Sequence, residues 1–231
     1  MTVASVLLVP GAWHKPAHWD PLIRELADID VHTVALTSTG DDPAELTDMY
    51  ADAQTIDEKV RMIGGPVVVV AHSYGGMPTT QALANAENVR RIIYVAAFQL
   101  DVGDTALAPN GGALMPWARL RQREWMPDYV EAQTPMTVFY NDLEIAAAQD
   151  AISRLGYQSY AAMRQPLTAT AWTTIPSTYV VCEHDNAIPV AAQERMAERA
   201  HEVHRLNASH APFPSQPATL ARLIRDAVRK A

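Results

Sequence analysis

Unbroken apolar runs and helically spaced apolar residues alternate along this chain. Ser5–Val9 reads as a strand, after which Trp19, Leu22, Ile23 and Leu26 recur at helical spacing. Val31–Leu36 reads as the next strand, and Leu46, Met49, Tyr50, Ala53, Ile56, Val60 and Ile63 trace one face of a long helix. Val67–Ala71 is apolar without alternation, the pattern of a strand buried on both faces of a parallel sheet, and a helix is expected from Tyr74 to about Asn85. Arg91–Ala97 and Ser177–Cys182 are further strands. Pro189–Arg199 reads as a helix opened by proline, Val203–Leu206 as a short strand, and Leu220, Leu223, Ile224 and Val228 mark a closing helix. Repeated strand–helix units predict an α/β fold, a mostly parallel sheet of about six strands covered by helices on both faces.

Residues 99–175 break this rhythm. The stretch holds Gly111-Gly112, several prolines, Trp117, Trp125, Tyr129, Phe139 and Tyr140, and Met115, Met126, Met136 and Met163. We read it as a helical lid or cap inserted between two sheet strands, so that 1–98 and 176–231 form the core of a single domain. Its aromatics are candidates to line an apolar pocket, although for any one of them packing the lid onto the core is the commoner role.

Chemistry enters at the end of the Val67 strand, where Ala71-His-Ser-Tyr-Gly-Gly76 follows. A serine on a tight strand-to-helix turn projects its hydroxyl from the sheet edge, and its neighbour's backbone N–H is free to meet an oxyanion. Small-x-Ser-x-Gly alone is a common pattern, and the flanking strand and helix give it meaning here. A serine hydroxyl needs a base, and the base an orienting acid. Cys182-Glu-His-Asp-Asn-Ala-Ile-Pro189 leaves one late strand and offers two acids. Asn207-Ala-Ser-His-Ala-Pro-Phe213 leaves the last strand and offers His210. The candidate triad is therefore Ser73, Asp185 and His210. Asp185 is preferred to Glu183 because it lies further beyond the strand, with Asp101 and Asp104 as a further alternative. The loop Pro10-Gly-Ala-Trp-His14 after the first strand places the Ala12 N–H as partner to that of Tyr74 in an oxyanion hole. Trp13, His14, Trp117, Trp125 and Phe139 are the candidate substrate-binding side chains.

Composition narrows the partners. The 231 residues carry 18 Lys and Arg against 26 Asp and Glu, a net charge of −8. Without a basic cluster, neither nucleic acid nor an anionic membrane is an expected partner. The single cysteine, Cys182, excludes an internal disulfide and fits a reducing compartment; a buried thiol is expected. Met1–Val9 lacks a basic start and meets Pro10-Gly11 at once, unlike a signal peptide or membrane span, so a soluble cytoplasmic protein is expected. No HExxH, paired CxxC, GxxxxGK[ST] or strand-linked GxGxxG is present, so no metal, nucleotide or other cofactor is expected.

The Val9–His14 loop, the Ala71–Gly76 elbow, Cys182–Pro189 and Ser209-His210 together resemble the serine α/β-hydrolases. More narrowly, they resemble the small lidded branch that holds plant methylesterases, hydroxynitrile lyases and bacterial esterase relatives. The resemblance covers most of the chain and is weakest in the lid. It implies an α/β-hydrolase fold with Ser73 as nucleophile, His210 as base, Asp185 as acid, and Ala12 and Tyr74 as oxyanion donors. Pro10 stands where the family often has His. Gly11 and Ala211 stand where the lyases of the branch commonly have a hydroxyl or amide residue and Lys, which favours hydrolysis. The expected activity is a cofactor-free serine carboxylesterase acting on small to medium apolar esters. Two rivals are a carbon–carbon bond lyase or hydrolase using the same triad, and a ligand-binding receptor on a hydrolase fold. The lid's apolar residues also leave a homodimer open.

Overall fold

The computed structural model describes residues 3–231; Met1 and Thr2, at the head of the apolar start, lie outside the described residues. Among the described residues ten strands follow in chain order: β1 (Ser5–Val9), β2 (Val31–Thr33), β3 (Thr39–Gly40), β4 (Val67–His72), β5 (Val89–Val95), β6 (Ala118–Arg123), β7 (Met126–Ala132), β8 (Tyr157–Ser159), β9 (Ser177–Cys182) and β10 (Glu202–Leu206). Six of them form one sheet in the order β2-β1-β4-β5-β9-β10, with every neighbouring pair parallel. β4 is buried at all of its positions, as an apolar run without alternation requires of a strand covered on both faces.

From β1 the chain steps outward to β2, then crosses back to β4 on the other side of β1. Neighbouring connections thus diverge beyond the carboxyl ends of β1 and β4, which leaves a crevice at the point where parallel sheets bind ligands. The Gly11-Ala12 loop and Ser73 both leave the sheet there.

Nine helices accompany the strands among the described residues: α1 (Asp20–Glu25), α2 (Met49–Ile63), α3 (Gly76–Ala82), α4 (Pro135–Phe139), α5 (Ile145–Ser153), α6 (Tyr160–Arg164), α7 (Val190–Ala197), α8 (Pro212–Ser215) and α9 (Pro217–Lys230). The helix expected from Leu46 begins at Met49, because the Asp48 side chain accepts the Ala51 N–H and caps it there. Strands expected at Val31–Leu36 and Arg91–Ala97 run over Val31–Thr33 and Val89–Val95. The segment 99–175 holds α4, α5 and α6, and also β6, β7 and β8, which the sequence reading did not pick out. These three strands join β3 in a second, antiparallel sheet ordered β3-β8-β7-β6. Through β3 this second sheet takes a strand from outside residues 99–175.

Candidate active site

The turn after β4 is built by close approach. Ser73 has φ of +51°, a left-handed conformation that non-glycine residues seldom adopt. Its carbonyl is held by the Phe98 N–H at 3.0 Å. A Cβ on Gly75 would lie 2.3 Å from the Pro10 carbonyl oxygen, and one on Gly11 would lie 2.8 Å from both Ser73 Cβ and His72 Nδ1. Only glycine at these two positions lets the loop after β1 press against the turn after β4. Ala12 and Tyr74 thereby line one cavity with Ser73, and neither amide N–H finds an acceptor among the described residues.

The three residues chosen from chain order meet in this crevice. His210 Nε2 lies 2.9 Å from Ser73 Oγ, and His210 Nδ1 lies 2.7 Å from Asp185 Oδ2. A carboxylate can only accept, so Nδ1 carries the imidazole proton and Nε2 presents its lone pair to the Ser73 hydroxyl. Asp185 is buried, and its Oδ1 accepts the N–H groups of Ala187 at 2.6 Å and Ile188 at 2.9 Å. Its Oδ2 also accepts from Gln193 Nε2 at 2.9 Å. With four donors the carboxylate is fixed in one orientation. The other acids lie elsewhere: Glu183 is exposed, Asp101 pairs with Arg199 at 2.5 Å, and Asp104 accepts the Asp101 N–H.

Buried histidines surround this group. His14 Nδ1–H donates to the Ala12 carbonyl at 2.8 Å, and Nε2 accepts the Tyr140 hydroxyl at 2.9 Å, which holds the loop that carries the Ala12 amide. Its ring lies 4.9 Å from that of His18 and 5.2 Å from that of His72, and the His72 ring lies 4.6 Å from that of His210. Burial away from water pulls the His14 and His72 pKa values well below the usual histidine range, and lowers that of His18.

The cavity over Ser73 encloses about 630 Å³ including its open mouth. Trp13, Phe98, Leu107, Leu114, Trp117 and Met163 form much of its wall, and no Lys, Arg, Asp or Glu side chain lines it. The Asn110 amide is already bonded to the carbonyls of Ala113 and Leu114. Of the five side chains expected to bind substrate, Trp13 and Trp117 line the cavity. Phe139 and His14 stand behind the wall: Phe139 packs on Trp13, Trp117 and His210, and His14 on Phe139. Trp125 is not brought to the site. It occupies the turn between β6 and β7 with 78% of its surface exposed. Phe98, Leu107 and Ile188 line the cavity without having been singled out, since an isolated apolar residue in a loop carries no positional signal. Cys182 is buried at the end of β9, and burial pushes its thiol well above the usual range.

No cluster of three or more His, Cys, Asp or Glu suited to a metal ion occurs among the described residues, and none of their helices is long and apolar enough to cross a membrane.

Comparison with known proteins agrees with this architecture. The model of the alpha/beta hydrolase family matches residues 6–223. Alpha/beta hydrolase nvfD of Aspergillus novofumigatus is 32% identical over 248 residues, spanning 100% of this chain and 99% of that protein. The pyrethroid hydrolase of Sphingobium wenxiniae is 25% identical over 246 residues, spanning 98% of this chain and 88% of that protein. Among solved structures, tomato methylketone synthase I complexed with 2-tridecanone superposes with a TM-score of 0.85 at 14% identity, covering 100% of this chain and 99% of that one. Polyneuridine aldehyde esterase gives 0.84 at 18% identity, covering 97% and 99%. At those identities the superpositions speak for the fold alone.

Proposed function

This chain belongs to the α/β hydrolase family, and from that premise we propose that it is a cofactor-free serine hydrolase cleaving small to medium apolar carboxylic esters through an acyl-enzyme. The observation that carries the reading is the unbroken chain Ser73 Oγ, His210 Nε2, His210 Nδ1, Asp185 Oδ2, with contacts of 2.9 and 2.7 Å beneath an apolar cavity.

In this reading Ser73 Oγ attacks the ester carbonyl carbon as its proton passes to His210 Nε2. The carbonyl oxygen becomes an oxyanion and accepts from the Ala12 and Tyr74 N–H groups, each such donor being worth about 3 kcal/mol in the transition state. Collapse of the tetrahedral intermediate breaks the bond to the alcohol oxygen, which takes the proton from His210. A water molecule then gives a proton to His210 and attacks the acyl carbon, and Ser73 leaves with that proton. Asp185 keeps the ring in the required tautomer and offsets the imidazolium charge. The uncharged wall favours apolar acyl or alcohol groups, since a charged one would be desolvated with no partner. The same absence of a cation leaves released cyanide without a partner, which supports hydrolysis over the lyase chemistry of the branch.

The test is turnover of p-nitrophenyl esters of increasing acyl length, with products identified. An acid and an alcohol are expected, with kcat lowered by about 10³-fold or more in Ser73→Ala. A ketone or aldehyde product, or undiminished turnover in Ser73→Ala, overturns the reading.

A further inference from the structure

Asp52 is fully buried and has no part in the chemistry just described. It stands in the first turn of α2, three residues after Met49 and four before Ile56, on the stripe that faces the core. A carboxylate there is costly unless its lone pairs are met, and no Lys, Arg or His pairs with it among the described residues. Instead it collects hydroxyl and amide donors. Oδ1 accepts the Ser38 N–H at 2.9 Å and, more distantly, the Thr37 hydroxyl at 3.3 Å. Oδ2 accepts the Ser38 hydroxyl at 2.5 Å and the Tyr74 phenol at 2.7 Å.

Both ends of this cluster lead somewhere. Tyr74 carries one of the two backbone N–H groups aimed at the developing oxyanion. Ser38 is bound to the cap: Gln158 Nε2 donates to its hydroxyl at 3.0 Å, the Ser159 N–H donates to its carbonyl at 2.8 Å, and the adjoining Thr39 hydroxyl donates to Gln158 Oε1 at 2.6 Å. A continuous buried path therefore runs from β8 through Ser38 and Asp52 to Tyr74.

The second oxyanion donor hangs from the same place. Trp13, directly after Ala12, has φ of +64°, a conformation that bulky side chains rarely hold unaided. Its indole N–H donates to the Val130 carbonyl on β7 at 2.8 Å, and its own carbonyl accepts the Gly156 N–H, just before β8, at 2.8 Å. Val130 and Gln158 are paired across β7 and β8.

We propose that Asp52 is a positioning residue for the oxyanion hole, the joint through which the paired cap strands β7 and β8 hold the Tyr74 amide, while Trp13 holds the Ala12 amide from the same strands. The cap is then a support for the reacting centre as well as a wall of the pocket. This rests on the reading of Ser73 as an acylated nucleophile. Oxyanion donors work only within a few tenths of an ångström of their acceptor, and they act on the transition state more than on bound ester. Losing their support lowers kcat and leaves KM nearly unchanged.

The experiment compares wild-type protein with Asp52→Asn, Tyr74→Phe and Gln158→Met. Each variant is measured for kcat and KM on an accepted ester and for affinity toward a trifluoromethyl ketone, which forms a hemiketal oxyanion on serine, and toward the matching methyl ketone. Tyr74→Phe keeps the backbone N–H and removes only the hydroxyl that Asp52 holds, so it carries the test even if Asp52→Asn does not fold. The expected result is a kcat loss of about tenfold or more in Asp52→Asn and Tyr74→Phe and a smaller loss in the same direction in Gln158→Met, KM within about twofold, and trifluoromethyl ketone affinity falling in step with kcat while methyl ketone affinity stays. Lowered thermal stability with kcat and the ratio of the two ketone affinities unchanged overturns the proposal and leaves Asp52 a purely structural residue. Failure of the underlying reading shows separately, as ester turnover retained in Ser73→Ala.

Discussion

The ring of His72, the residue before the candidate nucleophile, donates its Nε2–H to the backbone carbonyl of His210 at 2.9 Å. This bond joins the end of β4 to the loop after β10, and so fixes the distance over which Ser73 and His210 meet. His72 Nδ1 has no partner, which leaves the ring neutral with its proton on Nε2. His72→Phe keeps an aromatic ring in the space and deletes the bond. The expected outcome is a fall of about tenfold or more in kcat, from loosened Ser73–His210 geometry, together with about 1–3 kcal/mol of lost stability from the orphaned carbonyl. Steady-state kinetics and urea unfolding check the two parts; unchanged kcat contradicts the first.

The buried histidines also set a pH dependence of stability. His14, His18 and His72 all have lowered pKa values in the folded protein. Below about pH 6.5 the unfolded chain protonates them while the folded protein resists, so the stability they contribute is complete above that point and is lost as pH falls. Each group contributes a slope of about 1.4 kcal/mol per pH unit until its folded pKa is reached. Urea unfolding from pH 7.5 to 5.5 is expected to show decreasing stability, with a shallower slope in His72→Phe. A flat profile in the wild-type protein contradicts this.

Gln193 was invisible to sequence reading yet anchors Asp185, the candidate acid. Besides Asp185, its amide serves the Cys182 N–H at 3.0 Å and the Ile188 carbonyl at 3.0 Å. Gln193→Leu removes all of these bonds at similar volume. The expected outcome is a stability loss of about 1–3 kcal/mol and a reduced kcat at every pH, because Asp185 no longer holds His210 in one orientation. Thermal unfolding and a pH–rate profile check it, and wild-type values in both contradict it.

The parallel core could be read from the sequence because apolar runs such as Ser5–Val9, Val67–Ala71 and Ser177–Cys182 leave no other element for their length and flanks. That Ser73, Asp185 and His210 come together could be read because each follows a strand of that sheet, β4, β9 and β10. The cap was harder. β6 alternates Ala118, Arg119, Leu120 and Arg121, a genuine strand signal, but Pro127 interrupts β7 and the surrounding aromatics gave no period. Asp52 had a signal that went unused, a carboxylate on the apolar stripe of α2. Gln193 had none, since a glutamine on a helix after the acid is most often solvated and only the packed structure turns it inward.

Trp117 and Trp125 separate a pocket residue from a surface one. Trp117 lines the cavity against Trp13 and Phe139, whereas Trp125 is exposed. Trp117→Ala is expected to change KM across an ester series, most for the bulkier members, while Trp125→Ala stays within about 0.5 kcal/mol of wild type in stability and leaves KM unchanged. Equal effects of the two substitutions contradict the placement.

The most direct measurement is reaction with a fluorophosphonate, with the modified residue located by peptide mass spectrometry in wild-type protein, Ser73→Ala and His210→Ala. The account predicts a wild-type adduct on Ser73, none in Ser73→Ala, and labelling slowed by about 10³-fold in His210→Ala, because the hydroxyl is nucleophilic only while His210 accepts its proton. An adduct on another residue, or labelling of His210→Ala at the wild-type rate, contradicts it.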